Sequence, residues 1–550
     1  MIGSTAHWWR SGVGGCALAL VLLGAPTSVR AELPTGYLVW IKGDAGVRAS
    51  RQVYRMTLPD QSDVKALSSG EDVECQISPD GKWVAYAKAK LPESDYHDFN
   101  RFKLYLVSIH GVGDGREEMR IDDNGYWPSW GDGQTLYYSQ VDADHPLHTR
   151  IMQATLDADG NLLGRDEVFR TYSVFADIRE VNECFVAPDA SWFAARTRGA
   201  SSVTGAGAFN LAPATFHLLA RAGDIGCMPY IAPDSSWGFI AGRDQGIRWG
   251  DAPGVASRLE DQLLIAPHAS GDLVYHPGIS TDAQWFMAAH STEDDHNAGR
   301  YDVYLYRLAG KVASDEQLLA SGGFNGWPQL WVGEPTAPPP PTPRINAFYP
   351  GAYTILAGED SELFWLTSYA DSVTLDDTPV ALDGSQVVSP TSTHAYTLLA
   401  ASTVASATAT HTIEITVNQT PQAVAIQSFT AAPDRVVAGD TALLSWRVVN
   451  AYTLDLDGAP VAPIGSREVS PIERTTFTLT AQGYQGPVSA SVTLEVNPLG
   501  ELHPLLPDRG GCLCPWSSLR QSAPGFALLA LLGLLRRRRD FRRRLPQSGR

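Results

Sequence analysis

The stretch CQISPDGKWVAYAK, residues 75–88, decides the fold of this chain. A short apolar run ending at Ile77 enters the turn Pro79-Asp80-Gly81-Lys82, and Trp83, Val84 and Tyr86 lead out of it. Pro fixes φ, Gly tolerates a left-handed backbone, and both flanks alternate, so the stretch predicts a β-hairpin.

The hairpin recurs. YWPSWGDGQTLYYSQ (residues 126–140), CFVAPDASWFAAR (184–196), MPYIAPDSSWGFIAG (228–242) and HPGISTDAQWFMAAH (276–290) align with it on Asp80, Asp132, Asp189, Asp234 and Asp282. The aspartates are 52, 57, 45 and 48 residues apart. A Trp follows three positions later in four copies, as Trp83, Trp192, Trp237 and Trp285, while the second copy has Thr135. A period near 50 containing only strand patterns indicates a β-propeller with one four-stranded blade per repeat. The tryptophans are expected to pack between blades.

A sixth copy is split. Residues 326–333, GWPQLWVG, carry the first half of the motif and then stop. GYLVWIK (36–42) and QVYRM (52–56) at the other end supply the second half. Joining them closes the ring and leaves no open sheet edge. Six blades over about residues 36–333 follow, with residues 211–219 as an outer strand rather than a seventh blade. The Ser78-Pro79-Asp80-Gly81-Lys82-Trp83 turn resembles the repeat of TolB-type propellers, closely in this copy and loosely in the others. That resemblance covers roughly 300 of the 550 residues and implies fold, since such propellers serve as platforms, gates and enzymes.

Composition narrows the function classes. The formal net charge of -18 lacks the basic footprint of a general nucleic-acid binder, so no nucleic-acid partner is expected. Residues 1–31 have Arg10, an apolar run and the ending Val29-Arg30-Ala31, which together read as a signal peptide cleaved after Ala31. Export permits disulfides, but Cys75, Cys184 and Cys227 cannot all pair with one another, so at least one is a free buried thiol or pairs elsewhere.

Residues 32–333 form the expected propeller domain. Residues 334–343 are a proline-rich linker, extended at about 3.1 Å per residue and expected to set a spacing. Residues 344–418 and 425–497 then repeat one pattern: Phe348 aligns with Phe429, Gly358 with Gly439, Trp365 with Trp446, and Asp376 with Asp457. Short Thr- and Val-rich strands in about 75 residues indicate β-sandwiches. They resemble tandem bacterial immunoglobulin-like domains, with Trp365 and Trp446 as core residues. The expected fold class is therefore all-β, a six-bladed propeller plus two immunoglobulin-like sandwiches.

Residues 498–522 hold Gly511-Cys512-Leu513-Cys514, and residues 523–550 hold a short apolar run followed by arginines. That order resembles a Myxo-type sorting tag with Cys512 and Cys514 as processing or anchoring residues. It implies membrane contact through the tag and a Gram-negative outer membrane or cell-surface location. Two cysteines do not make a structural zinc site, and no metal or cofactor is expected.

No G-x-S-x-G elbow, H-E-x-x-H pair or P-loop occurs. Residues 157–161, DADGN, lack the distal Glu of a calcium loop and read as a turn. Residues 293–297, EDDHN, read as a polar loop.

One position, just before the Pro or Cys of each inner strand, lines up around the ring as Glu74, Trp127, Glu183, Met228, His276 and Trp327. Two carboxylates, an imidazole and two indoles facing a channel could bind a cation, a sugar or a cationic side chain, or move a proton. Alternatively these side chains pack between blades. The reading that follows is a non-catalytic binding or adhesion protein taking a protein or glycan ligand at the propeller face. The alternatives are a polysaccharide lyase or hydrolase using Glu74, Glu183 and His276, and a TolB-like periplasmic scaffold.

Overall fold

The computed structural model describes residues 32–90, 101–112, 117–199, 205–221, 228–242, 246–251, 263–269, 272–293, 299–337 and 340–498. The expected signal peptide with Ala31, the tag with Cys512 and Cys514, Cys227 and residues 294–298 lie outside them.

Six four-stranded antiparallel sheets form the blades. Blade one is Asp72–Ile77, Trp83–Ala89, Phe102–Ser108 and Met119–Asp122. Blade two is Tyr126–Trp130, Thr135–Asp142, His145–Leu156 and Leu162–Arg170. Blade three is Glu180–Val186, Trp192–Arg198, Gly205–Leu211 and Ala214–Arg221, and blade four is Pro229–Ile231, Trp237–Gly242, Gly246–Asp251 and Leu263–Ile265. Blade five is Leu273–Ile279, Trp285–Ser291, Asp302–Ala309 and Val312–Ala320.

The closing blade takes its inner strand Phe324–Val332 from one end of the ring and Gly36–Gly43, Gln52–Leu58 and Ser62–Ala66 from the other. Tyr37 pairs with Trp331 and Leu38 with Leu330 across that seam. The protein is a β-propeller, and this strand pairing shows it.

The turn chemistry explains why the hairpin repeats. In blade one the Asp80 carboxylate accepts Ser78 Oγ–H at 2.6 Å and the Lys82 N–H at 3.2 Å, while the Trp83 N–H donates to Ser78 Oγ at 3.0 Å. Blade five repeats all three bonds with Ser280, Asp282, Gln284 and Trp285. Asp132, Asp189 and Asp234 each accept the N–H two residues on. This Asx-type turn is what the conserved spacing of Asp within the chain encodes. Residues 157–161 likewise close as a turn, with Asp157 Oδ1 accepting the Asn161 N–H at 2.8 Å.

The four tryptophans after the turns are all buried, and Trp192 Nε1–H donates to the Ser235 carbonyl of the next blade at 2.8 Å. Trp331 Nε1–H does the same at the seam, donating to the Pro79 carbonyl at 3.1 Å. Apolar burial of such large side chains, roughly 25 cal/mol per Å², supplies much of the cohesion between blades.

After the linker come two units, each with a three-stranded and a five-stranded sheet around one core. In the first, Arg344–Pro350, Ser361–Ser368 and Gly384–Val388 face the sheet that includes His394–Ser402 and Ala407–Asn418. The second repeats the order with Ala425–Ala432, Ala442–Val449 and Ile464–Val469 facing Thr475–Gly483 and Gly486–Asn497. Equivalent residues make equivalent bonds. Trp365 Nε1–H donates to the Ala381 carbonyl at 2.9 Å and Trp446 Nε1–H to that of Ala462 at 2.8 Å. Asp376 and Asp457 are both left-handed and accept the N–H of Thr397 and Thr478.

Contacts run between the propeller and the residues that follow it. Tyr37 Oη–H donates to the Thr336 carbonyl at 3.1 Å, Arg344 pairs with Glu117 at 3.2 Å, and the second unit lies against blade one.

Candidate functional site at the blade-entry face

Each inner strand starts at one face of the ring and ends at the other. The starting face carries the connections between blades and the loops joining second to third strands. We call it the entry face. The aligned residues Glu74, Trp127, Glu183, Met228, His276 and Trp327 lie on the inner strands or, for Met228, just before one, one per blade.

All six adopt a left-handed backbone, with φ between 48° and 64°. The ladder slips at five of them, between Val73 and Gln76, Tyr126 and Ser129, Asn182 and Phe185, Tyr275 and Gly278, and opposite Val39 and Ile41. In blade four, Met228 precedes the paired strand Pro229–Ile231. These are β-bulges, each with a non-glycine residue in a region that costs on the order of 1–3 kcal/mol. Such strain persists where surrounding contacts hold it.

Those contacts come from neighbouring blades. Glu74 Oε2 accepts the Trp127 N–H at 2.6 Å, and Glu183 Oε2 accepts the Met228 N–H at 3.4 Å. Cys75 Sγ–H donates to the Trp327 carbonyl at 3.2 Å, and the His276 and Trp327 rings lie 4.1 Å apart. None of the six is more than 4% exposed. The structure thus places the ring residues as buried side chains packed between blades. Both carboxylates already serve backbone amides.

Glu183 has a second partner. Arg196 spans Glu183 Oε1 at 3.1 Å and Glu180 Oε1 at 3.0 Å, and Asn182 Nδ2–H donates to Glu180 at 2.7 Å. The guanidinium fork fits two carboxylates at once. Asp72 is buried and bonded to Ser68 Oγ and the Val53 N–H, and burial pushes its carboxyl up to about 7. Cys75 and Cys184 are free buried thiols, and burial pushes both up.

One open cavity on this face lies on blade five, about 400 Å³ in volume and lined by His268, His290, Glu293, Arg300, Asp302 and Tyr304 among others. His268 stacks on His290 with ring centres 4.1 Å apart. His268 Nε2 lies 2.9 Å from Glu316 Oε2. The Tyr306 hydroxyl donates to the same carboxylate at 2.9 Å and lies 2.8 Å from His290 Nε2. Glu316 is an acceptor and Tyr306 has one proton, so the His290–Tyr306 bond uses the proton of His290 Nε2. Burial pushes His290 down to about 4, and its neighbour His268 adds to the shift. Burial alone would raise Glu316, but its bonds from His268 and Tyr306 hold it below the usual carboxylate value. The wall is therefore a neutral imidazole backed by an ionised carboxylate.

Of this cavity the sequence reading marked only Glu293 as part of a polar loop, and His290 only as the end of a repeated hairpin. His268, His290, Tyr306 and Glu316 form no motif, because they come from a loop and three different strands. Among the described residues no group of three or more His, Cys, Asp or Glu is placed to hold a metal ion, and no helix is long and apolar enough to cross a membrane.

No family model matches the chain. A curated protein of Ruminiclostridium cellulolyticum, carrying the name "Uncharacterized protein", is 30% identical over 200 residues. The match covers 35% of this chain and 54% of that protein, so the chain spans about half the length of the curated relative it matches. Among solved structures, TolB from Acinetobacter baumannii is similar with 15% identity and a TM-score of 0.37 over 54% of this chain and 66% of that one. The periplasmic gluconolactonase of Pseudomonas aeruginosa is similar with 14% identity and a TM-score of 0.32, covering 69% of this chain and 99% of that one. An oligogalacturonate lyase in complex with manganese is similar with 12% identity and a TM-score of 0.28, covering 53% and 75%.

Proposed function

We propose that this chain is an exported, surface-anchored binding protein, with the propeller as its recognition head and two immunoglobulin-like sandwiches joining it to a C-terminal sorting tag. The supporting observation is the division of labour on the entry face. Glu74 and Glu183, the carboxylates a channel catalyst would use, are bonded to backbone amides and Arg196. The blade-five cavity instead presents polar side chains to solvent. A protein or glycan ligand would meet hydrogen-bonding groups there with partly settled protonation, which lowers the cost of ordering on binding.

The test uses the full-length chain produced with its own termini in a Gram-negative host. Protease treatment of intact cells should release the propeller. Glycan and peptide arrays probed with the protein should show capture that Glu293→Ala weakens and Glu74→Gln leaves in place. A propeller that stays protected on intact cells would sink the surface location. Turnover of an arrayed glycan that Glu74→Gln abolishes would replace binding with catalysis.

A further inference from the structure

Blade one carries a basic edge. Lys90 follows its second strand, Lys103 lies on its third, and Arg120 lies on its fourth, all toward the entry face. The turn Gly439-Asp440-Thr441 of the second two-sheet unit sits on that edge. Lys90 Nζ meets Asp440 Oδ1 at 2.5 Å, and Arg120 donates to Thr441 Oγ1 at 2.9 Å and Glu468 Oε2 at 2.8 Å. Lys103 Nζ reaches Ser470 Oγ at 3.4 Å. Asp123 stands behind the cations, 3.7 Å from Lys103 and 3.6 Å from Arg120.

The fit is close as well as charged. The Lys90 side chain is only 1% exposed, although its partner lies 350 positions away in sequence. Gly439 has φ +82°, and a Cβ there would lie 3.0 Å from Lys90 Cβ. The left-handed turn thus lets backbone approach the lysine stem. The matching turn of the first unit also docks. Its Glu359 accepts the Tyr484 hydroxyl of the second unit at 2.5 Å, beside a Tyr353 N–H to Tyr452 carbonyl bond at 2.8 Å.

We propose that the basic edge of blade one is a docking surface for the acidic turn of the second unit, forming an ionic latch that sets how far the propeller stands from the rest of the chain. Closed, the latch folds the units back along blade one. Open, the units are free to swing about the linker, whose reach at an extended rise is about 31 Å. Opposite charges at contact distance close it, and mobile ions compete for the more exposed pair Arg120–Glu468, whose side chains are 30% and 58% exposed. Desolvation of Lys90 favours its pairing with Asp440 over any arrangement that leaves it buried alone. The latch needs no reading of the propeller's ligand.

Small-angle scattering on the full-length chain tests it, with thermal unfolding of each variant as a folding control. The wild type should be compact at low ionic strength. Lys90→Glu and Asp440→Lys should each lengthen the maximum dimension beyond that of the wild type. Combining the two should restore the compact form. The Arg120→Glu variant, altered at a more exposed position, should itself lengthen at a salt concentration severalfold lower than the wild type needs. A wild type already extended at low salt would overturn the proposal, and so would a folded double variant that stays open.

Discussion

Glu74 and Trp127 belong to neighbouring blades, and the carboxylate of the first accepts the backbone N–H of the second at 2.6 Å. Both residues are buried and both are left-handed. Removing the acceptor leaves a buried N–H without its partner, which costs about 1–3 kcal/mol. Glu74→Ala should therefore lower unfolding stability by that amount in denaturant titration. Glu74→Gln, which keeps an oxygen acceptor, should lose less. Equal stability of both variants and wild type would contradict the role of this carboxylate as an inter-blade fastener.

The hairpin turns carry a separate strain. Gly81 has φ +72°, and the same turn position in blades three and five is held by Ala190 and Ala283 at φ 54° and 56°. An L residue there costs about 1–2 kcal/mol, partly offset by the greater chain entropy of glycine. Ala190→Gly and Ala283→Gly should each stabilise the protein by roughly 0.5–1 kcal/mol. Gly81→Ala should do the reverse, since its Cβ would also collide with the Trp331 ring. Calorimetric melting of the three variants checks the signs, and a destabilised Ala190→Gly would count against the assignment.

Asp72 gives a pH dependence. Burial raises its carboxyl from 3.8 to about 7, so between those values the folded state keeps a proton that the unfolded state has lost. Its contribution is fully present below pH 3.8 and is lost as pH rises through about 7. Stability from this group falls by about 1.4 kcal/mol per pH unit across that window. His290 acts oppositely. Lowered from 6.5 to about 4, it makes stability rise with pH between those values. Chemical unfolding of Asp72→Asn from pH 4 to 7 should lack the falling component. A wild-type-minus-variant difference that is flat with pH would show that Asp72 is ionised throughout.

Cys75 and Cys184 should resist thiol reagents. Both are buried, and burial disfavours the thiolate that reacts. Alkylation at pH 8 followed by peptide mass spectrometry should leave both unmodified in the folded chain and modify both in denaturant. Rapid labelling of Cys75 in the native state would show that the junction between blade one and the closing blade opens.

The propeller was legible because its information is local and repeated. Asp80, Gly81 and Trp83 mark a turn whose hydrogen bonds recur in blade after blade, and the half motif around Trp331 locates the seam. The equivalence of Trp365 with Trp446 was legible for the same reason. The left-handed geometry of Glu74 and Trp327 was not, since neither is a residue type that favours it and the holding contacts come from the next blade. The blade-five cavity escaped because His268, His290 and Glu316 meet only after four segments pair. The docking of Asp440 on Lys90 escaped because one surface charge looks like any other until a fold places its partner.

Amide hydrogen exchange at Trp127 and Met228 tests most directly the claim that the aligned carboxylates fasten blades together. In the wild type both amides should exchange slowly. Glu74→Ala should speed exchange at Trp127 while leaving Met228 slow, and Glu183→Ala should do the converse. Fast exchange at both amides in the wild type, or no change at Trp127 in Glu74→Ala, would contradict the claim and return Glu74 and Glu183 to the open channel.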